Sequence, residues 1–436
     1  MIYKAAHLIT ISGDPIKQGE ILIKDGIICD LGVGLSKKYP DEPISDYNNC
    51  AILPGFVNAH SHVDYTWSRN QYDALNLWDW IGRVGYKSGR QPDYNAALDS
   101  AIYGSAECAC SGITCLGDST FTGAAAEAMS LIGLRGTAYC ELFGQSMGDN
   151  YVQDYAIMLD NIYALKTKSS AIVGVGLSPH TVYTSNMEVL ELCAGSCADK
   201  GIPIALHLAE THAEADYTMY GTGPIAEWRK RLDRPPMITG LSPTLTLQKS
   251  GLLRKGVSLA HCVHVSDEEI ELIAHSGASV VHCPRSNAYL GCGIAPATKF
   301  MAAGAAVGLG TDSEGSCMRF DFFEEMRFAL AIARANRQDA AALTANDILR
   351  LATIGGAETL GLDKLVGTIE VGKRADIIAI DLSDTLPDED LFLAVISRSP
   401  SDVTMVMVDG VEIVKGGRPV KIDMDEYKSK LSARSS

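Results

Sequence analysis

The chain has 436 residues, 47% of them hydrophobic, which is enough for a large core and more than one domain. A formal charge of -16 argues against a protein that coats nucleic acid or an anionic membrane surface. The opening MIYKAAHLITISGDP breaks at Gly13 to Pro15 and does not read as a signal peptide. No apolar run approaches the roughly 20 residues of a membrane helix, so a cytoplasmic protein whose twelve cysteines are reduced thiols is expected.

Residues 1–53 read as short strands and turns, with β-branched runs around the Lys-Asp-Gly turn of ILIKDGIICDLG. The sequence then reaches PGFVNAHSHVDYT, where His60 and His62 follow an apolar run. Side chains alternate along a strand, so both histidines face inward only if the strand ends or twists between them. By itself the pair fits a metal site or an ordinary loop. Cys108 with Cys110, and Cys193 with Cys197, lack a second pair at zinc-finger spacing and read as small buried hydrophobes.

From 54 to 364, short apolar runs alternate with helical segments. The runs are GITCLGD, LRGTAYCEL, AIVGVGLSPH, IPIALHLAE, VSLAHCVH, GASVVHCP and AAVGLGTDS. One intervening segment, SDEEIELIAHSG, opens with a capping box from Ser266 to Glu269. This rhythm implies parallel pairing, and the strand before His60 brings the count to eight. The expected fold is α/β, a (β/α)8 TIM barrel. The tail, GTIEVGKRADIIAIDL and VTMVMVDGVEIVKGGRPV, returns to short strands and turns. Residues 1–53 and 365–436 are therefore expected to form one small composite β-sandwich domain flanking the barrel at 54–364.

The chemically capable residues sit where the apolar runs end: His60 and His62, His180, His207 with Glu210, His261, His282 and Asp312. In a barrel those ends converge on one face, where active sites lie. His207 alone fits a hydrogen-bonded core histidine, and Asp312 alone a helix cap. Imidazole and carboxylate together at strand ends fit a catalytic metal site with a position open to water.

With PGFVNAHSHVDYT, SPHTVYT, HLAET, LAHCVHVSDEEI, HCPRSNAYLGCGIAP, GLGTDS and GTIEVGKRADIIAID in this order, the sequence resembles the amidohydrolase superfamily. Within it the resemblance is to the metal-dependent deaminase and chlorohydrolase branch, and it runs over nearly the whole chain. It implies that His60, His62, His207 and Asp312 hold one divalent metal per chain, zinc or else iron. Two-metal members carry a lysine on the fourth strand, and AIVGVGLSPH has none, so a mononuclear site is expected. It further implies that Glu210 protonates the ring nitrogen beside the carbon under attack. His261 and Asp312 would take the proton of the attacking water, and His180 would contact the substrate ring. His264 and His282 are expected to support the site, and His275 to be solvated on a helix.

Trp80, in WDWI, and Arg69 match a tryptophan and an arginine near the substrate in methylthioadenosine and S-adenosylhomocysteine deaminases. Trp80 fits a stacking residue or a hydrophobic lid. The glutamate that holds ribose hydroxyls in that group falls near Gly89 here, and the segment from Gly144 to Gly176 has no arginine to grip an amino-acid carboxylate. Glu141, at the end of the third strand, fits a group binding hydroxyls or an amino group, or else a buried ion pair or helix cap. EGSCMRF, after Asp312, departs from the Asn-rich loop of the family and points to a modified substrate.

The expectation is a metal-dependent hydrolytic deaminase of an aminated N-heterocycle, acting on C–N bonds other than peptide bonds. A 5'-modified adenosine of the methylthioadenosine or 6-aminodeoxyfutalosine type leads. Guanine-type bases, s-triazine dechlorination or amine removal, mononuclear cyclic amide hydrolysis and a silent scaffold are the alternatives. The partner is a small heterocyclic substrate, with neither nucleic acid nor membrane. The apolar stripe of FDFFEEMRFALAIARA reads as barrel packing, and because relatives are often dimers a homodimer is expected.

Overall fold

A computed structural model describes residues 1–86, 94–144, 150–231, 233–234, 236–386 and 388–434. Eight parallel strands follow the chain around one sheet: Phe56–Ser61, Ile113–Thr120, Arg135–Glu141, Val173–Ser178, Ile204–Leu208, Val257–His261, Ser279–His282 and Val307–Leu309. Each pairs with its sequence neighbour, and helices fill the crossovers. Helix-covered strands are buried on both faces, and every residue of Ile113–Thr120 and Arg135–Glu141 is buried.

The eighth strand meets the first just past its end. Ser61 bridges to Asp312 in parallel, and the Asp312 N–H donates to the His60 carbonyl at 3.1 Å. Gly310 permits this approach, since a Cβ there would lie 2.9 Å from His60 Cβ and 2.7 Å from Val281 Cγ1. The joint that closes the barrel thus also sets Asp312 beside the histidine pair.

Local chemistry starts the crossover helices where the sequence indicates. Ser266 Oγ accepts from the Glu269 N–H at 3.2 Å, while Glu269 Oε2 accepts from the Ser266 N–H at 2.8 Å. The helix Asp267–Ser276 then buries Ile270 and Ile273. Of the paired cysteines, Cys108 and Cys193 are buried and Cys110 and Cys197 half-buried.

The two ends of the chain build a second, nine-stranded mixed sheet. At its centre Ile44–Pro54 pairs parallel with Ile2–Leu8 and antiparallel with Ile377–Asp381, in the register Ile377 to Pro54 through Asp381 to Cys50. Ile21, Ile23 and Ile28, from one end of the strand order, share a core with Met405 and Met407 from the other. The sheet is therefore folded over on itself, which is how a single sheet makes a sandwich-like unit. Only Gly55 separates Ile44–Pro54 from the first barrel strand. The final helix, Met424–Arg434, leaves this sheet: Lys430 Nζ lies 3.9 Å from Asp99 on the barrel helix Tyr94–Cys110. Arg135 ties the two units, its Nε 2.7 Å from Asp376 Oδ2 and its Nη2 3.0 Å from Asp409 Oδ1. Among the described residues, no helix is long and apolar enough to cross a membrane.

Candidate active site

The barrel brings His60, His62, His207 and Asp312 together at the carboxyl ends of its first, fifth and eighth strands. His62 Nε2 lies 3.2 Å from His207 Nε2, and Asp312 Oδ1 lies 3.5 Å from His62 Nε2 and 3.7 Å from His60 Nε2. The three histidines each offer a nitrogen within 4.8 Å of the others. His60 Nε2 is buried with no hydrogen-bond partner among the described residues. Burial, then the neighbouring His207 and His62, pushes His60 well below its ordinary pKa, and burial pushes His207 down to about 3. Neutral imidazoles and a carboxylate crowded on a common point, one nitrogen unpartnered, are the donor set of a divalent metal. The residues fit the metal the family pattern calls for.

Surrounding groups orient these ligands. His207 Nδ1 donates to the His180 carbonyl at 3.0 Å, which leaves Nε2 as a lone-pair donor. Asp312 Oδ2 accepts from Ser286 Oγ at 2.5 Å and Ser316 Oγ at 3.0 Å, leaving Oδ1 on the histidine side. Burial opposes ionisation of Asp312, but His62, His261 and the Ser286 hydroxyl hold its carboxyl below the usual carboxylate value. His180, His261 and Asp312 adopt φ of 59°, 73° and 62°. Non-glycine residues in that region carry strain of about 1–3 kcal/mol each, a feature that clusters at functional sites.

Beside this centre His261 Nδ1 donates to Asn287 Oδ1 at 2.8 Å and lies 3.8 Å from Glu210 Oε1. The Cys292 thiol donates to the same Glu210 oxygen at 3.5 Å. Burial raises the Glu210 carboxyl above its ordinary pKa despite the opposing pull of His261 and the Cys292 thiol. Burial alone would lower His261, but the Glu210 and Asp312 charges and the Asn287 hydrogen bond raise it. A carboxyl that keeps its proton and an imidazole that gains one make an acid/base pair.

These residues open into a cavity of about 1520 Å³. Trp80, His180 and Glu141 line it, as does Trp228. The Trp80 indole N–H donates to the Gly315 carbonyl at 3.1 Å, in the EGSC turn after Asp312. Glu141 is buried; burial, then Asp64 and Asp118, raises its carboxyl well above the ordinary value. His282 is buried beneath the site, His264 Nε2 donates to the Cys292 carbonyl at 2.7 Å, and His275 is exposed on its helix.

Arg69 is placed differently from the sequence expectation. Its guanidinium pairs with Glu107 and, at 2.6 Å, with the fully buried Glu314, and it is not among the described residues that line the cavity. Two carboxylates behind the turn that carries Asp312 capture it. Gly89 lies outside the described residues. Sequence reasoning missed Ser286, Asn287, Ser316 and Asp64. Of these, Ser286 and Asn287 had a legible signal, since PRSNAY directly follows the apolar run that ends at His282.

The profile described as the amidohydrolase family matches residues 51–413. A 5-methylthioadenosine/S-adenosylhomocysteine deaminase of Thermodesulfovibrio yellowstonii is 30% identical, over 98% of this chain and 96% of that one. An adenosine deaminase of Xanthomonas campestris, solved with bound zinc, is 25% identical with a TM-score of 0.87, over 99% of this chain and 97% of that one. The atrazine chlorohydrolase of Arthrobacter aurescens, complexed with zinc, shares the fold at 24% identity and a TM-score of 0.84, over 99% of both chains.

Proposed function

The chain belongs to the amidohydrolase family, and from that premise we propose a metal-dependent hydrolytic deaminase of a 5'-modified adenosine that releases ammonia from the purine. The observation that carries this reading is the pairing of Glu210 with His261 next to three clustered imidazoles. It is a hydrolase of cyclic amidine C–N bonds, in keeping with the deaminase names of the relatives and of the Xanthomonas structure.

His60, His62, His207 and Asp312 would hold the metal, zinc by analogy with the zinc-bound adenosine deaminase. When bound, a divalent metal supplies Lewis acidity that makes water nucleophilic near neutral pH. His261, its Nδ1–H held by Asn287, presents Nε2 to receive the proton of the attacking water, and the Oδ1 of Asp312 is the second acceptor. Attack loads negative charge onto the ring nitrogen beside the carbon that bears the amino group. Glu210, kept protonated by burial, delivers its proton there. The leaving nitrogen departs as ammonia once protonated. His180 and Trp80 bound the space for the base, and Glu141 meets donors of the substrate.

Ammonia release should be measured with zinc-loaded protein against purine bases, 5'-modified adenosines, pterins and s-triazines, with metal content read on the same sample. Turnover of a 5'-modified adenosine with one metal per chain supports the reading. Chloride or ring-opened product without ammonia would replace it with a chlorohydrolase or a cyclic amide hydrolase.

A further inference from the structure

Two buried carboxylates of the cavity take no part in the chemistry just described. Asp64 lies in the turn after the first barrel strand, and Glu141 is the last residue of the third. Both line the cavity, yet they are only 3% and 4% exposed. Asp64 Oδ2 is occupied, accepting from Thr120 Oγ1 at 2.9 Å and the Phe121 N–H at 3.1 Å. Asp64 Oδ1 and Glu141 Oε1 are buried acceptors with no hydrogen-bond partner among the described residues. Neither carboxylate forms an ion pair among the described residues. Behind them Asp118 is anchored, its Oδ2 accepting from Ser61 Oγ at 2.7 Å and the Val63 N–H at 2.8 Å.

Unmet buried acceptors are rare and call for a partner. Carboxylate oxygens accept hydrogen bonds, so the partner must bring O–H or N–H donors. Glu141 lies within 4.8 Å of ligand atoms of His180 and His207, on the side of the second and third strands. Glu210 and His261 follow the fifth and sixth strands, across the barrel. A nucleoside whose base lies against Glu210 would then extend its sugar toward Asp64 and Glu141. We propose that Asp64 and Glu141 together form the sugar subsite and bind the vicinal hydroxyls of the substrate. The proposal rests on the nucleoside-deaminase reading and sharpens it, because a free base leaves both carboxylates unmet.

The test compares kcat/KM for three forms of one 5'-modified adenosine: the ribose, the 2',3'-dideoxy sugar and the 3'-amino-3'-deoxy sugar. A site built to hold hydroxyls should disfavour the dideoxy form at least about 100-fold. Asp64→Asn and Glu141→Gln should each shrink that ratio, with metal content unchanged. Equal rates for ribose and dideoxy forms overturn the subsite while leaving the deaminase reading intact. Preference for the amino sugar overturns the diol assignment in favour of an ammonium site. Ammonia from free bases but from no 5'-modified adenosine overturns the nucleoside reading itself and the subsite with it. The wild-type comparison decides the matter even if a variant fails to fold.

Discussion

Glu210 and His261 share a buried wall in which each shapes the protonation of the other, and Asn287 holds the imidazole from behind. Glu210→Gln keeps the shape but carries no exchangeable carboxyl proton, so turnover should fall by about 10²–10⁴-fold while metal content stays at the wild-type level. His261→Asn should behave the same way. His207→Ala removes a ligand nitrogen, so metal and activity should be lost together. Asn287→Ala touches neither metal nor proton directly, but frees the ring it orients; a loss of about 10–100-fold in activity with metal retained is expected. Metal analysis beside steady-state ammonia release separates these outcomes. A Glu210→Gln enzyme with normal turnover would remove the proton-transfer role.

Between elements, buried charge does the positioning. Arg69 reaches from the turn after the first strand to Glu314 in the turn after the eighth, with Glu107 of the intervening helix as its second partner. Arg69→Ala would strand a fully buried Glu314, and about 3–5 kcal/mol of unfolding free energy should be lost. Denaturant titration measures this, and a structural role requires KM of the folded fraction to stay near wild type. A substrate-gripping role would raise KM instead. The joint between barrel and terminal sheet carries a pH signature. The Arg374 guanidinium beside Asp409, aided by Arg135 against the opposing effect of burial, holds that carboxyl below the usual range. Its contribution is present above the unfolded aspartate value of about 3.9 and lost as pH falls through the lower folded value. The urea midpoint should therefore drop between pH 6 and pH 3 more steeply in wild type than in Asp409→Asn.

At the scale of the molecule, three imidazoles and an aspartate crowd one point, and a metal relieves their mutual desolvation. Chelation should lower the unfolding temperature, and restoring zinc to a hundredfold excess over its dissociation constant should return about 2.7 kcal/mol. Calorimetry with and without chelator measures this, and an unchanged transition would argue against a resident metal. Much of this architecture was legible beforehand. Alternating apolar runs and helical segments marked all eight barrel strands, because hydrophobic periodicity is a local property. The residues at their carboxyl ends, from His60 to Asp312, marked the site, because barrel topology brings those ends to one face. The matching strands at both ends of the chain marked the second unit, but its one folded sheet depends on long-range pairing of Ile44–Pro54 with Ile377–Asp381. Where Arg69 points could not be read locally, since its partners lie 38 and 245 residues away. Nor could the pairing of Asp64 with Glu141 across the cavity wall, nor the serines that brace Asp312. The sequence alone determined the order of strands, the metal-ligand residues and the reaction class, which follow from local pattern and residue chemistry. Only the tertiary structure decided which charges neutralise one another and which are left to face a substrate, because that balance depends on distances between residues remote along the chain.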